Sequence, residues 1–343
     1  MISIAEHKNY ELLTGITPAM RYADGMDFSE WQKTARAKLF DILGMNKYEK
    51  CDPLFNIEYK TETDTYTEYR FTVQSEPNYF VPSVMRIPKG METQKNPLML
   101  CLQGHSTGFH ISLGKPIYED DEITISGGDR DFCVRGVEEG YVCVAIEQRG
   151  FGECKGGEEL PRGCHLTSMA AMMSGRSTLG ERAWDVMRVL DAILEHFDFI
   201  DEEKICLMGN SGGGTATYYT CCVDERISLC MPSSAVCSWD MSVGVKRHCT
   251  CNYVAGIAKY FDMGDLAGLI APRKLIIVHG ITDVGFYKPG VDKCYDLAEK
   301  MYDVAGVPQN CDLVTGPFGH RFYADLSWPV VHKMMGTVSK KED

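Results

Sequence analysis

Apolar and polar positions follow two different rhythms along this chain, and the rhythm changes near residue 97. Between residues 28 and 42 the apolar side chains Phe28, Trp31, Ala35, Leu39 and Ile42 recur every three or four positions. That spacing predicts one amphipathic helix, with Gly44 as its stop and Ser29 with Gln32 as a capping box. Residues 1–27 carry no such period and are expected to form an irregular arm. Three runs rich in Tyr, Thr, Val and Phe follow at 55–60, 65–73 and 80–88, separated by polar turns. They are expected to pair as antiparallel strands at one edge of a sheet.

Beyond Pro97 the strands lose their polar face. Segments 97–103, 141–147, 204–208, 228–233, 274–279 and 311–315 are short and almost wholly apolar. Helical patterns lie between several of them, at 129–140, 215–222 and most clearly at 180–197, where Ala183, Val186, Leu190, Ile193 and Phe197 form one face. Strands buried on both faces and alternating with helices predict an α/β fold with a mainly parallel sheet and helices on both of its sides. Segments 104–128, 148–179 and 238–270 break the alternation. Irregular loops of that length usually cover or shape a site, so they are expected to act as caps. No linker composition divides the chain. We expect an arm and helix over 1–50 and one catalytic domain over 51–343.

Composition narrows the field of partners. Thirty-five basic against 48 acidic residues leave a formal charge of −13, which would repel nucleic acid and anionic membrane surfaces. No apolar run is long enough to span a bilayer, and the first residues lack the basic-then-apolar layout of a signal peptide. Fifteen cysteines, several inside apolar strands (Cys101, Cys143, Cys206, Cys230), read as small hydrophobes in a reducing cytoplasm rather than as a disulfide framework. The expected partner is a small neutral molecule, and a homo-oligomer stays open.

The chemistry centres on residues 204–216. An apolar run passes directly into Gly209-Asn210-Ser211-Gly212-Gly213 and then into a helical pattern. A chain reversing that sharply from strand to helix leaves its central residue strained and exposed, and glycines two positions away on each side avoid the collisions a Cβ would cause. Ser211 is therefore the expected nucleophile. A serine hydroxyl needs a base within reach and an acid to orient that base, following it in the order acid, then histidine. Asp283, just past the 274–279 run, fits the acid; Asp240 is its main rival, with Asp262 and Asp265 behind. His320, closing the loop Gly316-Pro317-Phe318-Gly319, fits the base better than His196, His279 or His332, which sit in helical patterns or end a strand. The expected oxyanion donors are the backbone N–H groups of Gly212 and of His105, the latter in Gln103-Gly104-His105-Ser106-Thr107-Gly108.

These blocks carry a resemblance. The 102–108 loop, Glu147-Gln148-Arg149-Gly150-Phe151-Gly152, Gly180-Glu181-Arg182-Ala183-Trp184-Asp185, the 248–253 stretch and Asp265-Leu266 to Pro272-Arg273 are similar to the α/β-hydrolase superfamily. Within it the chain resembles dienelactone-hydrolase-like families related to acetyl xylan esterases. The resemblance covers most of residues 28–335 and implies an α/β-hydrolase fold with Ser211, Asp283 and His320 as its triad. Dienelactone hydrolases proper use cysteine where this chain has serine. The implied activity is a serine esterase acting on short-chain, chiefly acetyl, esters of carbohydrates such as acetylated xylo-oligosaccharides. A serine peptidase or amidase, or a non-catalytic binding protein on the same scaffold, are the alternatives.

Other motifs add little. His248-Cys249-Thr250-Cys251 holds zinc-ligand residue types, but no second cysteine pair stands at finger-like spacing, so packing or site-wall roles are expected. No metal and no cofactor is expected. The acidic run Glu119-Asp120-Asp121-Glu122 is expected to face solvent.

Overall fold

In the computed structural model, which describes residues 4–156 and 163–340, nine strands make one sheet. They are β1 (Asn56–Glu62), β2 (Tyr66–Glu76), β3 (Tyr79–Pro88), β4 (Asn96–Leu102), β5 (Val142–Ile146), β6 (Ile200–Asn210), β7 (Leu229–Ser233), β8 (Lys274–Gly280) and β9 (Cys311–Gly316). The spatial order is β1-β2-β3-β5-β4-β6-β7-β8-β9. The pairs β1/β2, β2/β3 and β3/β5 are antiparallel, and every pair from β5/β4 to β8/β9 is parallel. This is the mainly parallel sheet with an antiparallel edge that the two rhythms predict, and it agrees with the α/β-hydrolase fold that the resemblance implies.

Ten helices accompany the sheet among the described residues: α1 (Ala5–Thr14), α2 (Phe28–Ile42), α3 (Asp121–Gly128), α4 (Phe132–Glu138), α5 (Cys164–Met173), α6 (Thr178–His196), α7 (Gly212–Val223), α8 (Met263–Leu266), α9 (Lys288–Val304) and α10 (Ala324–Met335). The two-residue period of a strand decides which side each side chain takes. Leu98, Leu100 and Leu102 of β4 join Val142 and Val144 of β5 in the core under α2, α6, α7 and α9. Met99, Cys101, Cys143, Cys206 and Met208 point the other way, into the core under α4 and α10, with Phe132, Trp328 and Val331. Cys101, Cys143 and Cys206 fill the second core, where α4 lies close: a methyl group on Gly136 would come within 2.4 Å of Cys143 Sγ. No helix among the described residues is long and apolar enough to cross a membrane.

Several local expectations are corrected. Residues 5–14 are helical, not irregular; α1 buries no residue and has polar groups all round, including an exposed Lys8–Glu11 pair at 3.0 Å, so no apolar stripe announced it. The cap of α2 is Asp27, whose carboxylate accepts the Glu30 N–H at 3.0 Å, and Ser29 merely donates to Asp27. The 104–128 segment contains α3 and a tight turn over Phe109–Leu113, and α5 lies within 148–179. Residues 157–162 of that expected cap, with 1–3 and 341–343 at the ends of the two expected regions, lie outside the described residues.

Candidate active site

Chain direction across the sheet reverses between β4 and β6: from β4 the path leads to β5, whereas β6 leads through β7 and β8 to β9. Loops leaving the carboxyl ends of two such strands diverge and open a crevice there. Ser211 leaves β6 at that crevice with φ 57° and ψ −124°, a conformation that costs a serine energy and must be held by its surroundings. Its N–H donates to the Ser233 carbonyl at 2.8 Å, and its carbonyl accepts the Thr215 N–H at 2.8 Å. A methyl on Gly209 would lie 2.5 Å from the Gly213 carbonyl, and one on Gly213 would lie 2.2 Å from the Leu102 carbonyl. The flanking glycines are thus required by backbone approaching from two sides. α7 begins at Gly212, directly after Ser211, so its first N–H groups have no partner within the helix.

Asp283 and His320 are brought together. Asp283 lies beyond the end of β8 and His320 beyond the end of β9, two adjacent parallel strands. His320 Nδ1 is 2.8 Å from Asp283 Oδ2, and Asp283 Oδ1 accepts the N–H groups of Gly285 at 2.8 Å and Phe286 at 3.2 Å. Burial pushes the Asp283 carboxyl up, but the bond from His320 and those two N–H groups outweigh it and hold the acid below its ordinary range. An ionised carboxylate can only accept, so His320 donates from Nδ1 and its Nε2 is left as the acceptor. The imidazole stacks on Phe286 at 5.8 Å and is partly open to solvent.

The histidine loop is fixed at several points. Tyr323 donates its hydroxyl to the Gly319 carbonyl at 2.9 Å and accepts the Phe318 N–H at 3.1 Å. Ser233 ties this loop to the elbow: its carbonyl holds the Ser211 N–H, while its hydroxyl lies 2.9 Å from Asn210 Oδ1 and 3.2 Å from the Arg321 carbonyl. The Ser211 hydroxyl has no hydrogen-bond partner among the described residues. Such contacts commonly close only when substrate is bound.

The rival groups are engaged elsewhere. Asp240 lies 3.3 Å from Lys293, Asp262 caps α8, and Asp265 pairs with Arg21 at 2.7 Å. His332 contacts Glu139 at 2.9 Å, His196 stacks on Phe55, and His279 is buried at the end of β8.

The loop after β4 packs directly on the elbow. A methyl on Gly104 would meet the Asn210 carbonyl at 2.6 Å and Ser211 Cβ at 2.9 Å, and one on Gly212 would meet the His105 ring at 2.8 Å. The same Gly104 position lies 3.1 Å from an Arg130 guanidinium nitrogen, so Arg130 and Ser211 flank Gly104. Arg130 is 7% exposed, and among the described residues it pairs with no carboxylate; burial alone pulls it down to about 10. Asp121 also departs from expectation. It is buried, accepts from Thr107, from His110 at 2.9 Å and from the Ile117 and Tyr118 N–H groups, and so braces this loop instead of facing water. Burial pushes its carboxyl up, but these bonds prevail and hold it at about 2.

Cys249 and Cys251 are not isolated. Cys164, at the start of α5, and His105 meet them, and the four ligand atoms all lie within 4.8 Å of one another. Sequence spacing could not reveal this, because the members come from three separate segments; Arg130 likewise carried no motif. The only local signal was the Cys-x-Cys pair with its adjoining histidine, and His248 turns instead to the ring of Phe286.

Comparison with known proteins agrees with this architecture. A hydrolase-designated protein of Bacillus subtilis (strain 168), YtaP, is 28% identical over 187 residues, 53% of this chain and 60% of that protein, so the chain spans well under two thirds of that relative. The structure of a Bacteroides fragilis NCTC 9343 protein, provisionally described as an acetyl xylan esterase, superposes with a TM-score of 0.77 at 19% identity, covering 92% of this chain and 83% of the other. The methylesterase BT1017 gives 0.71 at 21% identity, covering 99% and 70%. At these identities the likeness is one of fold. The model of the Abhydrolase family matches residues 9–317, and with the strand–elbow–helix and its crevice at the sheet reversal the chain belongs to that family.

Proposed function

We propose that this protein is a serine esterase that cleaves short-chain, chiefly acetyl, esters of carbohydrates through an acyl-enzyme. The observation that carries the reading is the Asp283–His320 pair, set at the same sheet end from which the strained Ser211 projects. In this reading His320 Nε2 takes the Ser211 proton as Oγ attacks the ester carbonyl, and Asp283 holds the ring in the tautomer that permits it. The N–H groups of Gly212 and His105 receive the developing oxyanion, with the positive charge of Arg130 close behind them. His320 then returns the proton to the departing alcohol, and a water activated by the same ring releases the acid. No step needs a cofactor.

The carbohydrate half of the reading is supported by the resemblance to acetyl xylan esterase-related families. Cys101, Cys143, Cys206 and Cys230, packed as small apolar side chains inside strands, support a reducing compartment such as the cytoplasm. The test is a panel of p-nitrophenyl acetate, longer acyl esters, acetylated xylo-oligosaccharides and an amino-acid p-nitroanilide, run beside fluorophosphonate labelling. Acetyl-ester turnover with label on Ser211 is expected. Label elsewhere, or cleavage of the anilide alone, would overturn the proposal.

A further inference from the structure

We propose that His105, Cys164, Cys249 and Cys251 form a tetrahedral zinc site that pins the loop after β4 to the start of α5 and to the 249–251 segment. Three segments that are remote in sequence deliver these side chains to one point, with all four ligand atoms within 4.8 Å and His105 Nε2 3.1 Å from Cys251 Sγ. Zinc–sulfur bonds of ~2.3 Å and a zinc–nitrogen bond of ~2.0 Å set tetrahedral edges of roughly 3.5–3.8 Å, a spacing this cluster reaches by small side-chain rotations. Three thiolates and one imidazole fill the coordination sphere, so the site is a closed, structural one.

Charge is the second and independent argument. Arg182 is 1% exposed, and among the described residues it pairs with no carboxylate. Its guanidinium donates to the Arg149 carbonyl at 2.8 Å and points its remaining N–H groups at sulfur, Nη1 to Cys251 at 3.5 Å and Nη2 to Cys164 at 3.6 Å. A buried cation facing three neutral thiols would lack any counter-charge. When Zn²⁺ displaces the three thiol protons, which pass to solvent, the Cys3His centre carries a net −1 and Arg182 balances it. N–H···S bonds from a buried arginine are also the outer contacts that hold thiolate ligands in place. The ring of Phe151 closes the cluster, edge-on to His105 at 4.9 Å and beneath Arg182 at 4.2 Å. A disulfide within the cluster would consume two of the sulfurs and leave Arg182 uncompensated.

Position gives the site its consequence. His105 lies against Gly212, and its backbone belongs to the loop assigned to the oxyanion; this consequence, unlike the metal site itself, rests on the esterase reading above.

The full chain, purified without chelators or a polyhistidine tag, should contain one zinc ion by elemental mass spectrometry. Removing the metal and adding Co²⁺ should give the intense visible bands and sulfur-to-metal charge transfer of tetrahedral thiolate ligation. Cys164→Ser and Cys251→Ser should abolish both signals, while Cys51→Ser, outside the cluster, should keep them. The wild-type cobalt spectrum serves even if a variant misfolds. Zinc below roughly a tenth of an equivalent after reconstitution, a cobalt spectrum without thiolate bands, or full zinc in Cys164→Ser would each overturn the site. Fluorophosphonate labelling of the same samples separates the two readings. Zinc without label on Ser211 refutes the esterase and keeps the metal; label without zinc does the reverse.

Discussion

Glu147, at the end of β5, offers a prediction whose size follows from the structure. It is 2% exposed, and its Oε2 accepts the N–H groups of Glu153 at 3.1 Å and Phe109 at 3.3 Å. Burial raises the acid more than these two bonds lower it, to about 7 from an ordinary 4.5. A raised folded value means that the folded state binds the proton more tightly. The associated stability is therefore fully present below about pH 4.5 and is lost as pH rises through about 7. At 1.36 kcal/mol for each unit, the loss is about 3 kcal/mol. Glu147→Gln has no proton to lose and keeps an oxygen for both N–H donors. With an unfolding entropy of about 2.1 cal/mol/K per residue, 3 kcal/mol corresponds to about 4 °C in a chain of 343 residues. The Tm of Glu147→Gln minus that of wild type, measured by calorimetry, should thus grow by about 4 °C between about pH 5 and about pH 8.5. Glu153, the nearest other carboxylate, is paired with Arg70 at 2.5 Å in both proteins and cancels in the difference. A difference that stays flat with pH would refute the assignment of a buried, proton-holding carboxyl at this position.

Three further outcomes are expected. Asp283→Asn keeps the shape but presents the wrong tautomer at His320, so kcat for acetyl esters should fall by roughly 10³–10⁴ with the fold retained by near-ultraviolet circular dichroism; a fall of under about ten-fold would remove Asp283 from the reaction. Tyr323→Phe leaves the Phe318 N–H and Gly319 carbonyl without their hydroxyl partner, and should lower stability by about 1–3 kcal/mol and lower kcat with little change in KM. Denaturant melts and steady-state kinetics read both, and an unchanged kcat would show that His320 keeps its place without the clamp. Arg130→Met removes a buried cation that has no carboxylate partner, so Tm should hold or rise while kcat falls by roughly ten-fold or more; an undiminished kcat would detach Arg130 from the oxyanion.

Much of the fold is legible in the chain because its signals are local. Apolar runs that alternate with helical periods define the strands from β4 onward, and the glycines at 209 and 213 mark the elbow because only they tolerate backbone at 2.5 Å or closer. Polar-all-round α1 left no stripe to read. The buried role of Asp121 was hidden because a run of four acids has the composition of a solvated face, whatever its neighbours later donate.

The sequence by itself determined the order of elements, the strained turn at Ser211 and the order in which an acid and a histidine follow it. Periodicity and steric tolerance act between near neighbours, so they are written in consecutive residues. Only the tertiary structure decided that Asp283 rather than Asp240 meets His320, that Arg130 stands beside the elbow, and that His105 and Cys164 join Cys249 and Cys251. Those contacts bridge 37 to 146 positions between segments with no shared period, and the packing of the sheet ends sets which of them close.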